Sequence, residues 1–307
     1  MIKRPPQWKL LSILCVGVFS VSTAAIFVRL AIANAETPPG LAFSLFLAAG
    51  RLLISALFVL PAWRNVARDA CDRKSIYWAI AAGLCLAAHF VLWIASLMFT
   101  SITVSTVLVT TNPLWVGLFG ALGWGERPNR LTWLGIGIAI GSSFLIAIDN
   151  TGVAGSQPLL GSLLATLAAI LVSFYLLCSR SAQIRGLSLS SLIVIAYSTA
   201  ALALFPLPFL WGQGYGGYPW IVYGCVAGLA IISQVIGHTS FNWAVCWLSP
   251  TLLTLTILIE PLGASLLGWW IFAEIPTAQT VFAGLGILLG VAIAGTSLPA
   301  QSMQNSE

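Results

Sequence analysis

Residues 257–262 read I-L-I-E-P-L, and Glu260 is a carboxylate set inside an apolar run. A charge in that setting is costly and usually marks a pathway or a partner. Glu260 could take up a proton or hold a substrate ammonium; alternatively, a protonated carboxyl could hold hydrogen bonds beside Pro261. Arg51, in A-A-G-R-L-L, is its basic counterpart. It could grip a carboxylate with two parallel hydrogen bonds, or pair with Glu260, or cap carbonyls. His89 and His238 are the only histidines, and an imidazole there could shuttle a proton or hydrogen-bond a substrate. Trp93 follows His89 by four residues and Asn242 follows His238 by four, so each pair shares one helix face. With the deeper Trp115 and Trp243, these residues are the candidate substrate-binding set, suited to an apolar or aromatic molecule. Packing between helices is the alternative for each of them. Asn112-Pro113 and Glu260-Pro261 are candidate helix kinks, because a proline removes a backbone donor and clashes with the preceding turn.

The elements that would position these side chains follow from composition. The chain has 307 residues, 59% hydrophobic and 7% charged, with a mean hydropathy of +0.98. No soluble core hides that much apolar surface, so lipid is the solvent for most of the chain. A span takes about 20 apolar residues as helix. Breaks in hydropathy give ten: 10–34, 40–61, 76–98, 101–124, 130–149, 158–181, 187–210, 218–244, 249–273 and 277–297. The first could be taken for a signal peptide, but it is too long and carries Arg29. The six cysteines form no C-x-x-C pair and imply neither disulfide nor metal framework.

Basic residues orient the spans. Of thirteen Lys and Arg, Arg29 and Arg51 lie deep within spans. The other eleven all fall on one side of a ten-span topology, before span 1 and in or at the edges of the connections between spans 2–3, 4–5 and 6–7, with Arg130 and Arg180 at span ends. The opposite connections carry only Glu36, Asp149 and Glu274. The positive-inside rule then places both termini in the cytoplasm.

The two halves, 1–150 and 151–307, resemble each other at an offset of 149 slipping to 148. His89 aligns with His238, Pro113 with Pro261, Glu126 with Glu274 and Pro128 with Pro276. Gly135, Gly137 and Gly141 align with Gly284, Gly286 and Gly290. Five spans per half is odd, so the second repeat must run upside down, a signature of alternating-access transporters with a site between the halves. Gly137-x-x-x-Gly141 and Gly286-x-x-x-Gly290 are small-residue packing faces in spans 5 and 10, expected to join the two halves within one chain rather than two chains.

These motifs carry a family resemblance. Ten spans, two five-helix repeats, N/E-P-L in spans 4 and 9, and closing G-x-G-E-x-P or F-A-E-x-P resemble the drug/metabolite transporter superfamily, EamA type. A-A-G-R-L-L-I-S-A-L-F-V-L-P is similar to that family's second helix, Arg51 included. The resemblance implies a secondary exporter of amino acids or other small metabolites; the aromatic content is similar to that of aromatic amino-acid exporters.

The expectation is therefore an all-α membrane protein: ten transmembrane helices in two inverted repeats forming one transport domain in the cytoplasmic membrane. No H-E-x-x-H, G-x-S-x-G or nucleotide-binding P-loop is present, so neither an enzyme site nor ATP-driven transport is expected. No cofactor, metal or nucleic-acid partner is expected. The partners are the lipid bilayer and a small-molecule substrate, with a monomer preferred over a homodimer. A channel and a membrane-embedded enzyme are the alternative functions.

Overall fold

Helix starts are written locally. Asp72 accepts the Ser75 N–H at 2.8 Å, Ser188 accepts that of Ser191 at 3.3 Å, and Ser249 that of Leu252 at 3.2 Å. Each satisfies an N–H that the first turn leaves open. In hydrocarbon this matters more than in water, because unpaired backbone groups have no solvent to turn to. The computed structural model describes residues 5–35, 40–69, 71–100, 102–125, 128–149, 157–212, 214–272 and 277–296. Lys3, Arg4, Glu36, Glu126, Arg127, Glu274 and Pro276, which enter the sequence reading, lie outside that set.

The described residues are all-helical, without strands. The main helices are α1 (Gln7–Ala33), α2 (Leu41–Val59), α3 (Arg73–Ser96), α4 (Ile102–Val109), α5 (Asn112–Gly123) and α6 (Arg130–Asp149). They continue with α7 (Pro158–Ile184), α8 (Leu189–Leu204), α9 (Trp220–Ala244), α10 (Pro250–Ile257), α11 (Glu260–Phe272) and α12 (Ala278–Thr296). Eight helical stretches are long and apolar enough to cross a membrane, with α4–α5 and α10–α11 each counted as one. Two shorter apolar stretches, Arg130–Leu145 and Val281–Ala294, lie in α6 and α12. The outer surface is apolar, as lipid demands: Phe19, Phe58, Leu122, Leu202, Trp270 and Phe282 are all exposed. Serines and threonines are buried instead, Ser22, Ser55, Ser105 and Ser173 among them.

Packing repeats between the halves. α1 packs on the middle of α9 as α7 packs on α3, and α2 on α9 as α8 on α3. α1 meets α11 as α7 meets α5. α2 with α8 and α6 with α12 are contacts across the halves that map onto themselves, and α5 also meets α10.

The contact between α6 and α12 is internal, but its face differs from the expected one. Gly137 and Gly141 have open space where a Cβ would stand. Gly135 and Gly290 make the close approach: a Cβ on Gly290 would lie 2.6 Å from the Gly135 carbonyl oxygen. Spacing alone did not reveal the helix rotation, and the true seam is Gly135, Ala139 and Ser142 against Gly286, Gly290 and Ala294. Gly290→Ala should therefore lower the melting temperature in detergent, at a cost of about 1–3 kcal/mol for overpacking. Gly141→Ala should leave it unchanged.

At one end of the bundle, Asp69 ties the α2–α3 connection to the start of α8. Its carboxylate accepts the Ser188 N–H at 2.8 Å. Burial works to raise its pKa, but hydrogen bonds from Ser191 and Ser188 outweigh that and hold it below the ordinary carboxylate range. A depressed folded-state pKa gives stability that is present above the unfolded value near 4 and lost as pH falls through the folded value. The difference in melting temperature between the parent chain and Asp69→Asn should be present at neutral pH and vanish on acidification below that range.

Candidate functional site

The proline motifs interrupt their helices. Residues 110–111 form a turn between α4 and α5, and residues 258–259 one between α10 and α11. Asn112-Pro113 and Glu260-Pro261 thus open the second segments, with proline in the first turn, where its missing donor costs nothing. Asn112 and Glu260, one residue before the prolines, stand where side chains could satisfy the freed carbonyls. Threonines do so instead: Thr111 Oγ1 donates to the Leu108 carbonyl at 2.7 Å and Thr110 Oγ1 to that of Val107 at 3.1 Å. In the second half the last carbonyls of α10 are met by the backbone of the turn, Thr254 by the Leu258 N–H and Thr256 by the Ile259 N–H, both at 3.2 Å. Ser22 Oγ of α1 reaches the Glu260 carbonyl at 3.1 Å, and a Cβ on Gly263 would lie 2.2 Å from that hydroxyl.

With their backbones satisfied, the Asn112 and Glu260 side chains turn to a cavity. It lies between the halves, has a volume of about 60 Å³, and takes walls from both broken helices and from α1, α2, α3, α7 and α9. Arg51, His89, Trp93, Asn112, His238 and Glu260 all line it. Arg51 is 1% exposed; its Nε donates to Gln234 Oε1 at 3.0 Å, and its guanidinium carbon sits 4.0 Å over the Phe90 ring centre. Arg51 and Glu260 face one cavity without a direct ion pair, so the structural salt bridge read as an alternative from the sequence is not formed. Arg29, further along α1, lies 4.4 Å over the Phe272 ring centre.

The two histidines differ. His89 Nδ1–H donates to the Ala168 carbonyl at 2.9 Å, which leaves Nε2 as the acceptor nitrogen of the neutral ring. Its ring lies nearly parallel to Trp93, centroids 6.4 Å apart. His238 sits among Phe90, Tyr175 and Phe241, at centroid distances of 5.5, 6.2 and 6.3 Å. Two buried polar atoms on the cavity wall have no partner: Trp93 Nε1, a donor, and Asn112 Oδ1, an acceptor.

Three expected substrate contacts do not reach the cavity. Trp115 Nε1 donates to Thr111 Oγ1 at 3.2 Å and its ring lies along Phe119, which stacks on Phe174 of α7. Trp243 packs on Trp247. Asn242 lies behind the wall, where its Nδ2 donates to Tyr175 Oη in a short bond. Helical spacing places residues on one face of one helix, but not on the face that the other helices close around.

Sequence reasoning missed Tyr175, Tyr197 and Gln234. The signal for Gln234 was present: it is an amide inside an apolar span, four residues before His238. The π-type turns of α9 over Leu229–His238 had no such signal. Tyr175→Phe should strand the buried Asn242, whose Oδ1 already lacks a partner. The expected loss is about 1–3 kcal/mol of stability, read as a lower melting temperature with the fold retained.

Among the described residues, eight apolar helical stretches long enough to span a membrane, two shorter ones and a buried polar cavity make a polytopic membrane-protein fold. The chain belongs to the EamA-like transporter family, whose model matches it twice, over residues 7–148 and 159–296. A relative is the pseudopaline exporter CntI of Pseudomonas aeruginosa, 24% identical over 72% of this chain and 75% of its own. A second is a probable 4-amino-4-deoxy-L-arabinose-phosphoundecaprenol flippase subunit, ArnE, of Klebsiella pneumoniae, 30% identical over 26% of this chain and 70% of its own. An uncharacterised transporter of Synechocystis sp. is 24% identical over 77% of this chain and 71% of its own. A solved crystal structure superposes with a TM-score of 0.71 at 19% identity, covering 94% of this chain and 96% of that one. The protein is a multi-pass membrane transporter of small metabolites, and the bilayer and a small molecule are its partners.

Proposed function

We propose that the chain exports small zwitterionic metabolites, most simply amino acids with apolar or aromatic side chains, by alternating access across the cytoplasmic membrane. The observation that carries this reading is that Arg51 and Glu260 share one buried cavity without pairing. A zwitterion supplies what each lacks: a carboxylate for Arg51 and an ammonium for Glu260. The unpartnered Trp93 Nε1–H and Asn112 Oδ1 offer one further donor and one further acceptor for the same head group. Buried charges left unmatched cost several kcal/mol, so a substrate bearing both is favoured over one bearing either alone.

The cavity's 60 Å³ is less than half the roughly 150 Å³ of an engineered cavity that admits benzene. It suits the head group; an apolar side chain needs the helices around the two interruptions to part. His89, Trp93 and His238 supply the aromatic wall beside it. All ten apolar helices are taken to cross the membrane, as two inverted five-helix repeats. The doubled family match and the packing that maps onto itself support this. Both termini are placed in the cytoplasm by the segregation of basic residues. Export is supported by the relatives named as an exporter and a flippase subunit. The internal seam of α6 and α12 favours a monomer.

Proteoliposome transport of a panel of amino acids, amines and carboxylates tests the reading. Arg51→Gln should weaken uptake of carboxylate-bearing substrates, and Glu260→Gln that of amines, each by the roughly 1.5–3 kcal/mol of a charged hydrogen bond, tenfold or more. Uptake of zwitterions at the parent rate in both variants would overturn it. Substrate on the far side should accelerate exchange; its failure to do so would favour a channel.

A further inference from the structure

We propose that Gln234 is a positioning residue for Arg51, and that it makes the site selective for carboxylate-bearing substrates; this rests on the zwitterion reading above. Gln234 does not line the cavity. It acts through the 3.0 Å bond from Arg51 Nε to its Oε1. That bond occupies the one guanidinium nitrogen set back toward the α2 backbone, while the Phe90 ring, 4.0 Å away, covers a face of the plane. A guanidinium held at Nε and over one face has its two terminal nitrogens left to meet a carboxylate side by side.

The glutamine is itself held from three sides. Tyr197 Oη donates to the Gln234 carbonyl at 3.3 Å, and Ser55 Oγ to that of Ala230 at 3.1 Å. Ser233 Oγ lies 3.1 Å from Thr23 Oγ1. These hydroxyls come from α8, α2 and α1, and all meet the π-type stretch Leu229–His238. Such turns are rare and occur frequently at functional sites. Gln234 is fully buried and its Nε2 has no partner, so the chain keeps an amide here at the cost of an unsatisfied donor. An apolar residue would remove that cost and also the hold on Arg51. Freed of it, the guanidinium can swing toward Glu260 and neutralise the charge meant for the substrate.

The test uses L-phenylalanine and its decarboxylated analogue phenethylamine, titrated against the full-length protein in detergent. Gln234→Leu should weaken L-phenylalanine about tenfold and leave phenethylamine unchanged. Gln234→Glu keeps the shape and the acceptor and gives Arg51 a permanent counter-ion. It should fold even if the leucine variant does not, and it should show the same carboxylate-selective loss. In an Arg51→Gln background neither change should weaken L-phenylalanine further. Equal losses for both probes, or no loss in either Gln234 variant, would overturn the positioning role. If Arg51→Gln alone leaves L-phenylalanine binding intact, or the parent chain binds neither probe, the zwitterion reading itself fails. Loss with Arg51→Gln but not with Gln234→Glu rejects only the role of Gln234.

Discussion

A guanidinium in the middle of a hydrocarbon slab must have its polar groups met from inside the protein. Arg51 is the residue on which that constraint falls hardest, and much of the surrounding structure answers it. Phe90 presents a ring face to the cation. Gln234 accepts from Nε, and hydroxyls from three helices steady the segment that carries Gln234. Opposite, the Glu260 carboxyl lines the same cavity.

The broken helices answer the same constraint in the backbone. The interruptions leave carbonyls at the ends of α4 and α10 that lipid cannot satisfy; threonine hydroxyls take up those of α4, and backbone N–H groups of the turn those of α10. That leaves the Asn112 and Glu260 side chains for the cavity rather than for repair. Each interruption also divides a span into two short rods joined by a turn. Under the proposed alternating access, such joints would sit where one half of the molecule moves against the other.

The two halves share a scaffold but differ in chemistry. Asn112 stands where the second half has Glu260. His89 is tied to a carbonyl of α7, while the matching His238 sits among aromatic rings. Arg51 is on α2, and the matching helix α8 carries no charged residue. Within the repeated frame, the asymmetric side chains make one polar cavity with Arg51 at one wall and Glu260 at another.

The sequence by itself determined the membrane class, the approximate spans, the repeat offset and the residues expensive enough in lipid to need a reason. Those follow from local quantities: hydropathy, proline, glycine and charge. It singled out Arg51, His89, Trp93, Asn112, His238 and Glu260, all of which line one cavity. Tertiary structure alone decided that Trp115, Asn242 and Trp243 face elsewhere, that Gly135 rather than Gly141 makes the seam, and that Gln234 holds Arg51. The physical reason is rotation. Periodicity shows which residues share a helix face, but in a chain apolar on nearly every face it does not show which face meets a neighbour. That is settled only when helices distant in sequence pack and the few buried polar atoms find one another.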